Sequence, residues 1–144
     1  MRNILFLCTG NSCRSQMAEG WLRHLKGDRY IAFSAGIEKH GLNPNAVHVM
    51  LEQGVDISGH ESKTLDEINV TPDVVVTVCG HANETCPVLP GVHKKIHAGF
   101  DDPPTLAQTA ATEEEALDHY HRVCLEIKTF VENIEDLIEE SYTE

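Results

Sequence analysis

Apolar positions along the chain follow two rhythms. Short, nearly unbroken runs read as strands: Ile4-Leu5-Phe6-Leu7, Tyr30-Ile31-Ala32-Phe33-Ser34, and Asp73 through Val78. Lys95-Ile96-His97-Ala98 reads as a last, shorter strand. The continuous apolarity around Val74-Val75-Val76 suits a parallel sheet covered on both faces. Helical spacing lies between these runs. Met17, Ala18, Trp21, Leu22 and Leu25 share one helical face. Asn43-Pro44 opens a second helix to about Gln53, with Val47, Met50 and Leu51 inward and Gly54 as its stop. Leu65 and Ile68 predict a brief helical turn. Residues 79–93 and Phe100 through Pro104 read as loops. Thr112 with Glu115 three residues on is a capping box. It opens a long helix to about Glu140, with an inward stripe of Leu117, Tyr120, Val123, Ile127, Phe130, Val131, Ile134, Leu137 and Ile138. Strands alternating with helices predict one α/β domain over residues 1–144, a doubly wound sheet of about four parallel strands flanked by helices.

Composition narrows the function. The chain has 144 residues, 41% of them hydrophobic, which is ordinary for a globular domain. No apolar run approaches the roughly 20 residues needed to span a bilayer, and because the chain starts directly on a strand no export signal is expected. A cytoplasmic protein is expected. In that compartment five cysteines argue for chemistry or metal, not for a disulfide framework. A net charge of −12 argues against nucleic acid and anionic membranes as partners.

The chemistry concentrates in Cys8-Thr9-Gly10-Asn11-Ser12-Cys13-Arg14-Ser15, between the first strand and the first helix. A strand, a short polar loop and a helix start can cradle an oxyanion with converging backbone N–H groups. A cysteine opens this loop and an arginine closes it, so the anion site is also a nucleophile site. Cys8 would sit at the base of the cradle, where such surroundings favour a thiolate. Ser15 can donate its hydroxyl to that sulfur, and the fork of Arg14 matches two oxygens of a tetrahedral oxyanion. Gly10 is expected to adopt a conformation that a Cβ resists, and Asn11 to take the left-handed region and pin the loop.

In a doubly wound sheet, ligands bind at the carboxyl ends of the strands. The loops at residues 8–15, 79–93 and 99–104 should therefore meet. The second carries Cys79 and Cys86, spaced Cys-x6-Cys. Three readings are open: a zinc site with Cys8 and Cys13, two unrelated thiols, or a relay in which one thiol resolves a Cys8 adduct and another takes over the disulfide. In the third loop, Asp102 is either a proton donor beside the anion or an aspartate capping a turn. Cys124, in the long helix, reads as core.

Taken together, the Cys8–Ser15 loop, Val76-Thr77-Val78-Cys79-Gly80 with Cys86-Pro87, and Gly99-Phe100-Asp101-Asp102-Pro103 resemble the thioredoxin-coupled arsenate reductases. These share the low-molecular-weight protein tyrosine phosphatase fold. The first loop alone marks only the wider phosphatase superfamily; the Cys-x6-Cys pair narrows it. The resemblance implies that arsenate binds the loop from Thr9 to Arg14 (Thr9, Gly10, Asn11, Ser12, Cys13 and Arg14). Cys8, supported by Ser15, attacks arsenic while Asp102 protonates the departing hydroxide. Cys79 then attacks Cys8 and arsenite leaves. Cys86 takes over the disulfide, and thioredoxin reduces it. Cys13 has no required part. No tightly bound cofactor and no metal are implied, and a monomer is expected. Whether thioredoxin or glutaredoxin is the reductant stays open.

Two points complete the comparison. Members of the family often bind potassium through residues matching Asn11, Glu19 and Ser34 plus an aspartate near residue 63. This chain has Lys63 there, whose ammonium is expected to offset Glu19 in place of the ion. The alternative function is a low-molecular-weight tyrosine phosphatase, which shares the nucleophile, arginine and acid. Such phosphatases usually carry aromatic residues after the Asp-Pro pair; here Pro104-Thr105-Leu106 follows.

Overall fold

The computed structural model describes residues 1–85 and 91–142. Four strands, β1 (Arg2–Cys8), β2 (Tyr30–Gly36), β3 (Val74–Thr77) and β4 (Lys94–His97), form one sheet. Its order is β2-β1-β3-β4 and every pairing is parallel, as the alternating pattern predicts. Ile4 through Cys8 and all of β3 are buried, because helices cover both faces of the central strands.

Among the described residues six α-helices accompany the sheet: α1 (Arg14–Lys26), α2 (Pro44–Glu52), α3 (Gly80–Thr85), α4 (Pro103–Ala107), α5 (Glu113–Glu132) and α6 (Ile134–Tyr142). Helices α1, α2 and α5 pack on one another. Trp21 is fully buried and its indole N–H donates to the Cys124 carbonyl at 3.1 Å, tying α1 to α5. Cys124 lies in the core, and burial pushes its thiol up. Among the described residues no helix is long and apolar enough to cross a membrane.

The structure departs from the sequence pattern in four places. Residues 80–85, read as loop, form α3, and residues 103–107 form α4, which Pro103 can start because a first-turn N–H has no helical partner. The long helix is two helices. At Asn133 the side chain folds back to donate to the Thr129 carbonyl at 2.8 Å, and the chain turns there before Ile134. The stripe survives the break: Ile134 and Ile138 remain buried. Leu25 and Leu51, expected inward, are 36% and 58% exposed. Helix α2 is phased on Ala46, Val49 and Met50, which turns Leu51 outward. The brief turn near Leu65 is a 3-10 turn over Leu65–Glu67.

The sheet order places a switch point between β1 and β3. The chain leaves β1 toward β2 on one side and enters β3 on the other, which opens a crevice at the carboxyl ends of these two strands.

Candidate active site

The loop from Cys8 to Cys13 fills that crevice, and its peptide planes are oriented by the segment that follows β2. Ile37 N–H donates to the Cys8 carbonyl, Glu38 N–H to that of Thr9, His40 N–H to that of Gly10 and Asn43 N–H to that of Ser12, at 2.8–3.1 Å. The Ser62 hydroxyl adds a second bond to the Gly10 carbonyl at 3.0 Å. In a trans peptide the N–H points opposite the C=O. Carbonyls drawn outward to residues 37–43 therefore turn the amides of Thr9, Gly10, Asn11 and Cys13 the other way. There a cavity of about 300 Å³ is lined by Cys8 through Gly10, Ser12 through Arg14, His40, Asn43, Asp102 and Pro104. Helix α1 begins beside it, and its N-cap residue Cys13 makes no side-chain capping bond. The free N–H groups and positive end of that helix face the cavity with no competing cap, an arrangement that favours an anion.

Two glycines allow this packing by closeness. A Cβ on Gly10 would stand 2.3 Å from the His40 Nδ1, and one on Gly36 would stand 2.7 Å from the Asn11 N and 2.8 Å from the Thr9 O. The expected special conformation at Gly10 is not found: it is not among the residues with positive φ. Asn11 does adopt the left-handed region, at φ 47°.

Asn11 also sets the hydrogen bonding behind the sulfur. Its Oδ1 accepts from the Lys63 backbone N–H at 2.8 Å and from Gln16 Nε2 at 3.0 Å, which settles the orientation of the amide. Its Nδ2 therefore donates to Ser15 Oγ at 2.9 Å. Ser15 Oγ, having accepted there, still has its own proton to offer Cys8 Sγ, 2.8 Å away. Cys13, the other thiol in the loop, is different. Burial, and then the Asp102 charge, push it far up, against a smaller opposing pull from Arg14. It stays protonated and is a poor nucleophile.

Arg14 is mostly buried and held from the third loop. Its Nη1 donates to the Phe100 carbonyl at 3.0 Å and its Nη2 lies 3.4 Å from Asp102 Oδ1. Cys79 closes the second side, where Thr9 Oγ1 and Cys79 Sγ are 3.4 Å apart. Cys79 is buried, and its sulfur accepts from the Ala82 N–H of α3 at 3.3 Å. The structure thus brings the Cys8 loop, Cys79 and Asp102 together, as the fold class predicts. Cys86 and Pro87 lie outside the described residues.

Lys63 is not the cation that answers Glu19. Its Nζ bonds the Glu61 carbonyl at 3.2 Å in an exposed position. The buried Glu19 carboxylate is met by Arg23 Nη2 at 2.7 Å, by the Ser34 hydroxyl at 2.6 Å and by His60 Nε2 at 3.6 Å. Arg23 sits one turn further along α1, so its side chain falls on Glu19 without crossing the loop. His60 continues to Gln16 Oε1 through Nδ1 at 2.9 Å, and so to Asn11. Burial holds His60 below the ordinary imidazole range, against an upward pull from Glu19. His40, Asn43, Gln16, Arg23 and His60 were not singled out from the sequence for this site. Each is an ordinary polar residue on a helix or loop, without a spacing that marks it.

A family model described as low molecular weight phosphotyrosine protein phosphatase matches residues 3–141. The chain belongs to this family. Within it, the chain is 52% identical over 134 residues to an arsenate reductase of Halalkalibacterium halodurans, covering 90% of this chain and 94% of that protein. It is 54% identical over 125 residues to an arsenate reductase of Bacillus subtilis, covering 86% and 88%. A solved structure of an arsenate reductase in the reduced state superposes with a TM-score of 0.74 at 31% identity, covering 96% of this chain and 99% of the other. The phosphatase-family member described here thus has its whole α/β body in common with arsenate reductases.

Proposed function

We propose that this phosphatase-family protein is an arsenate reductase that uses Cys8 as nucleophile and passes the resulting disulfide through Cys79 and Cys86 to thioredoxin. The single observation that carries the reading is the place of Cys79. A second thiol stands 3.4 Å from the oxyanion loop, between β3 and α3, where hydrolysis of a phosphate ester has no use for it. The names of the relatives favour the same substrate. The cavity also favours a small inorganic anion over an aryl ester. Pro104 lines it after the Asp-Pro pair, and no Phe, Tyr or Trp is among the described lining residues.

In this reading, arsenate lies on the loop amides and Arg14. The Cys8 sulfur forms a bond to arsenic as hydroxide departs, and Asp102 supplies the proton that makes it water. Cys79, as thiolate, then attacks Cys8 Sγ. The sulfur–arsenic bond breaks, its electron pair stays on arsenic, and arsenite leaves with arsenic reduced by two electrons. Those electrons come from the two thiols, now a Cys8–Cys79 disulfide. Cys86 attacks Cys79, releases Cys8 and forms Cys79–Cys86, which the thioredoxin dithiol reduces. No tightly bound cofactor is needed. The reducing cytoplasm is the compartment that such a cycle requires, and every step fits within one copy of the chain.

The test is arsenite formation from arsenate with thioredoxin, thioredoxin reductase and NADPH, in the natural sequence, Cys79→Ser and Cys86→Ser. Turnover in the natural sequence that is lost in both variants is the expected result. Turnover that persists in Cys79→Ser overturns the relay. Absence of arsenite with efficient hydrolysis of p-nitrophenyl phosphate moves the protein to the phosphatase reading.

A further inference from the structure

The loop after β4 holds a hydroxyl that the mechanism above leaves unused. Asp102 is the N-cap residue of α4, where an aspartate ordinarily turns its carboxylate onto the free N–H groups of the helix. Here it makes no such bond. Oδ2 accepts instead from the Thr105 hydroxyl at 2.6 Å, and Oδ1 lies 3.4 Å from Arg14 Nη2. Asp102 and Arg14 both line the oxyanion cavity, whereas Thr105 is exposed and outside it. The two carboxyl oxygens are thereby distinguished, one turned to Thr105 and the other toward the guanidinium.

We propose that Thr105 is a positioning residue for the proton donor. This rests on Asp102 being the acid. A protonated carboxyl has one O–H and one C=O, and a hydroxyl donor is best accepted by the C=O. By donating to Oδ2, Thr105 favours Oδ2 as the carbonyl oxygen, and once the bound anion takes up the Arg14 N–H groups, Oδ1 is the oxygen left to carry the proton toward that anion. Rotation of the carboxyl would break the Thr105 bond, so the same contact holds the group at its angle. When the proton passes from Oδ1 to the departing hydroxide, water forms and the carboxylate stays bonded to Thr105. Thr105 keeps its own proton throughout and touches no reacting atom.

The experiment is a single turnover. Fully reduced protein is mixed with excess arsenate, and arsenite is quantified against time, which needs no external reductant. Asp102→Asn, Thr105→Val, Thr105→Ser and the Asp102→Asn/Thr105→Val pair are compared, with melting curves to confirm folding. Loss of a general acid costs about 10²–10⁴-fold in rate. Thr105→Val, which keeps the acid but loses its orientation, is expected to slow the maximal rate about 3- to 10-fold while the half-saturating arsenate concentration stays the same. Thr105→Ser restores the rate, and the pair is no slower than Asp102→Asn alone. An unchanged rate in Thr105→Val, with Asp102→Asn impaired, overturns the inference and leaves the acid in place. Failure of serine to restore, or an additive loss in the pair, overturns it too. A full rate in Asp102→Asn removes the acid and the inference together.

Discussion

Replacing Gly36 by alanine tests whether the oxyanion loop is held open by backbone packing. Gly36 is the last residue of β2 and pairs with Cys8 in the sheet, so it lies directly beside the proposed nucleophile. An added Cβ would stand 2.2 Å from the Glu38 carbonyl oxygen, 2.7 Å from the Asn11 nitrogen and 2.8 Å from the Thr9 oxygen. All three are backbone atoms and cannot swing aside. Bringing the shortest contact out to 3.0 Å requires a shift of about 0.8 Å between Gly36 and Glu38, and the two loop atoms must themselves give by about 0.2–0.3 Å. Overpacking of this kind costs roughly 1–3 kcal/mol, which corresponds to a fall in Tm of about 3–15 °C for a domain of this size. The shift also acts on the Glu38 N–H bond to Thr9, one of those that turn the loop amides inward. A displacement of about 1 Å in a positioning group can cost about 10²-fold in rate. Circular-dichroism melting and arsenite production measured on the same preparation separate the two effects. The expected result is a lower Tm together with turnover lost well beyond what unfolding explains. A variant with unchanged Tm and turnover within twofold would refute the claim that Gly36 sets the loop.

Two further outcomes concern the buried acid behind the loop. Arg23→Met leaves the Glu19 carboxylate with the Ser34 hydroxyl and His60 alone. Breaking a buried pair costs about 3–5 kcal/mol, reduced to about 1–2 kcal/mol because half of the Arg23 side chain is in solvent; urea unfolding measures it, and a loss under about 0.5 kcal/mol would show that Arg23 is dispensable there. The second concerns pH. His60 is held below the ordinary imidazole value of 6.5, mainly by burial. As pH falls through that value the unfolded chain binds a proton that the folded chain resists, so stability declines from neutral pH toward pH 5. His60→Gln removes that part of the decline, and an identical slope in the variant would exclude His60 as its source.

Much of the fold was legible because its signals are local. β-Branched runs at Val74-Val75-Val76 and the apolar Ile4 through Leu7 announce buried parallel strands whatever surrounds them. The Asn43-Pro44 pair and the Thr112/Glu115 box mark helix starts through bonds spanning three residues or fewer, and the structure shows both side chains capping as expected. Short polar helices have no such mark. Helix α3 carries Gly80, His81, Asn83 and Glu84 with no apolar stripe, and it is held by contacts to β1 and β3. The break at Asn133 was invisible for a different reason. The inward stripe continues across it, and apolar spacing alone does not register one side chain folding back.

The candidate site divides along the same line. The spacing from Cys8 to Ser15, the strand before it and the helix after it are enough to define an oxyanion loop beside a thiol, because the whole device spans eight consecutive residues. The alternation of strands and helices is enough to bring Cys79 and Asp102 toward it, since parallel strands put their following loops at one end of the sheet. What points the amides inward was decided only in three dimensions, by residues 37–43 and 62 drawing the carbonyls outward. The cation on Glu19 was decided there too. Lys63 is near in sequence pattern but bonds a carbonyl in solvent, while Arg23 reaches the acid from one turn along the same helix. So it was with the partners of Asp102. Sequence places an acid after the fourth strand; the contacts of its two oxygens depend on a hydroxyl three residues on and a guanidinium 88 positions earlier. Local order in the chain determined which groups are present and which end of the sheet they share. Long-range packing determined their orientation, because hydrogen-bond direction depends on neighbours that no spacing in the sequence brings together.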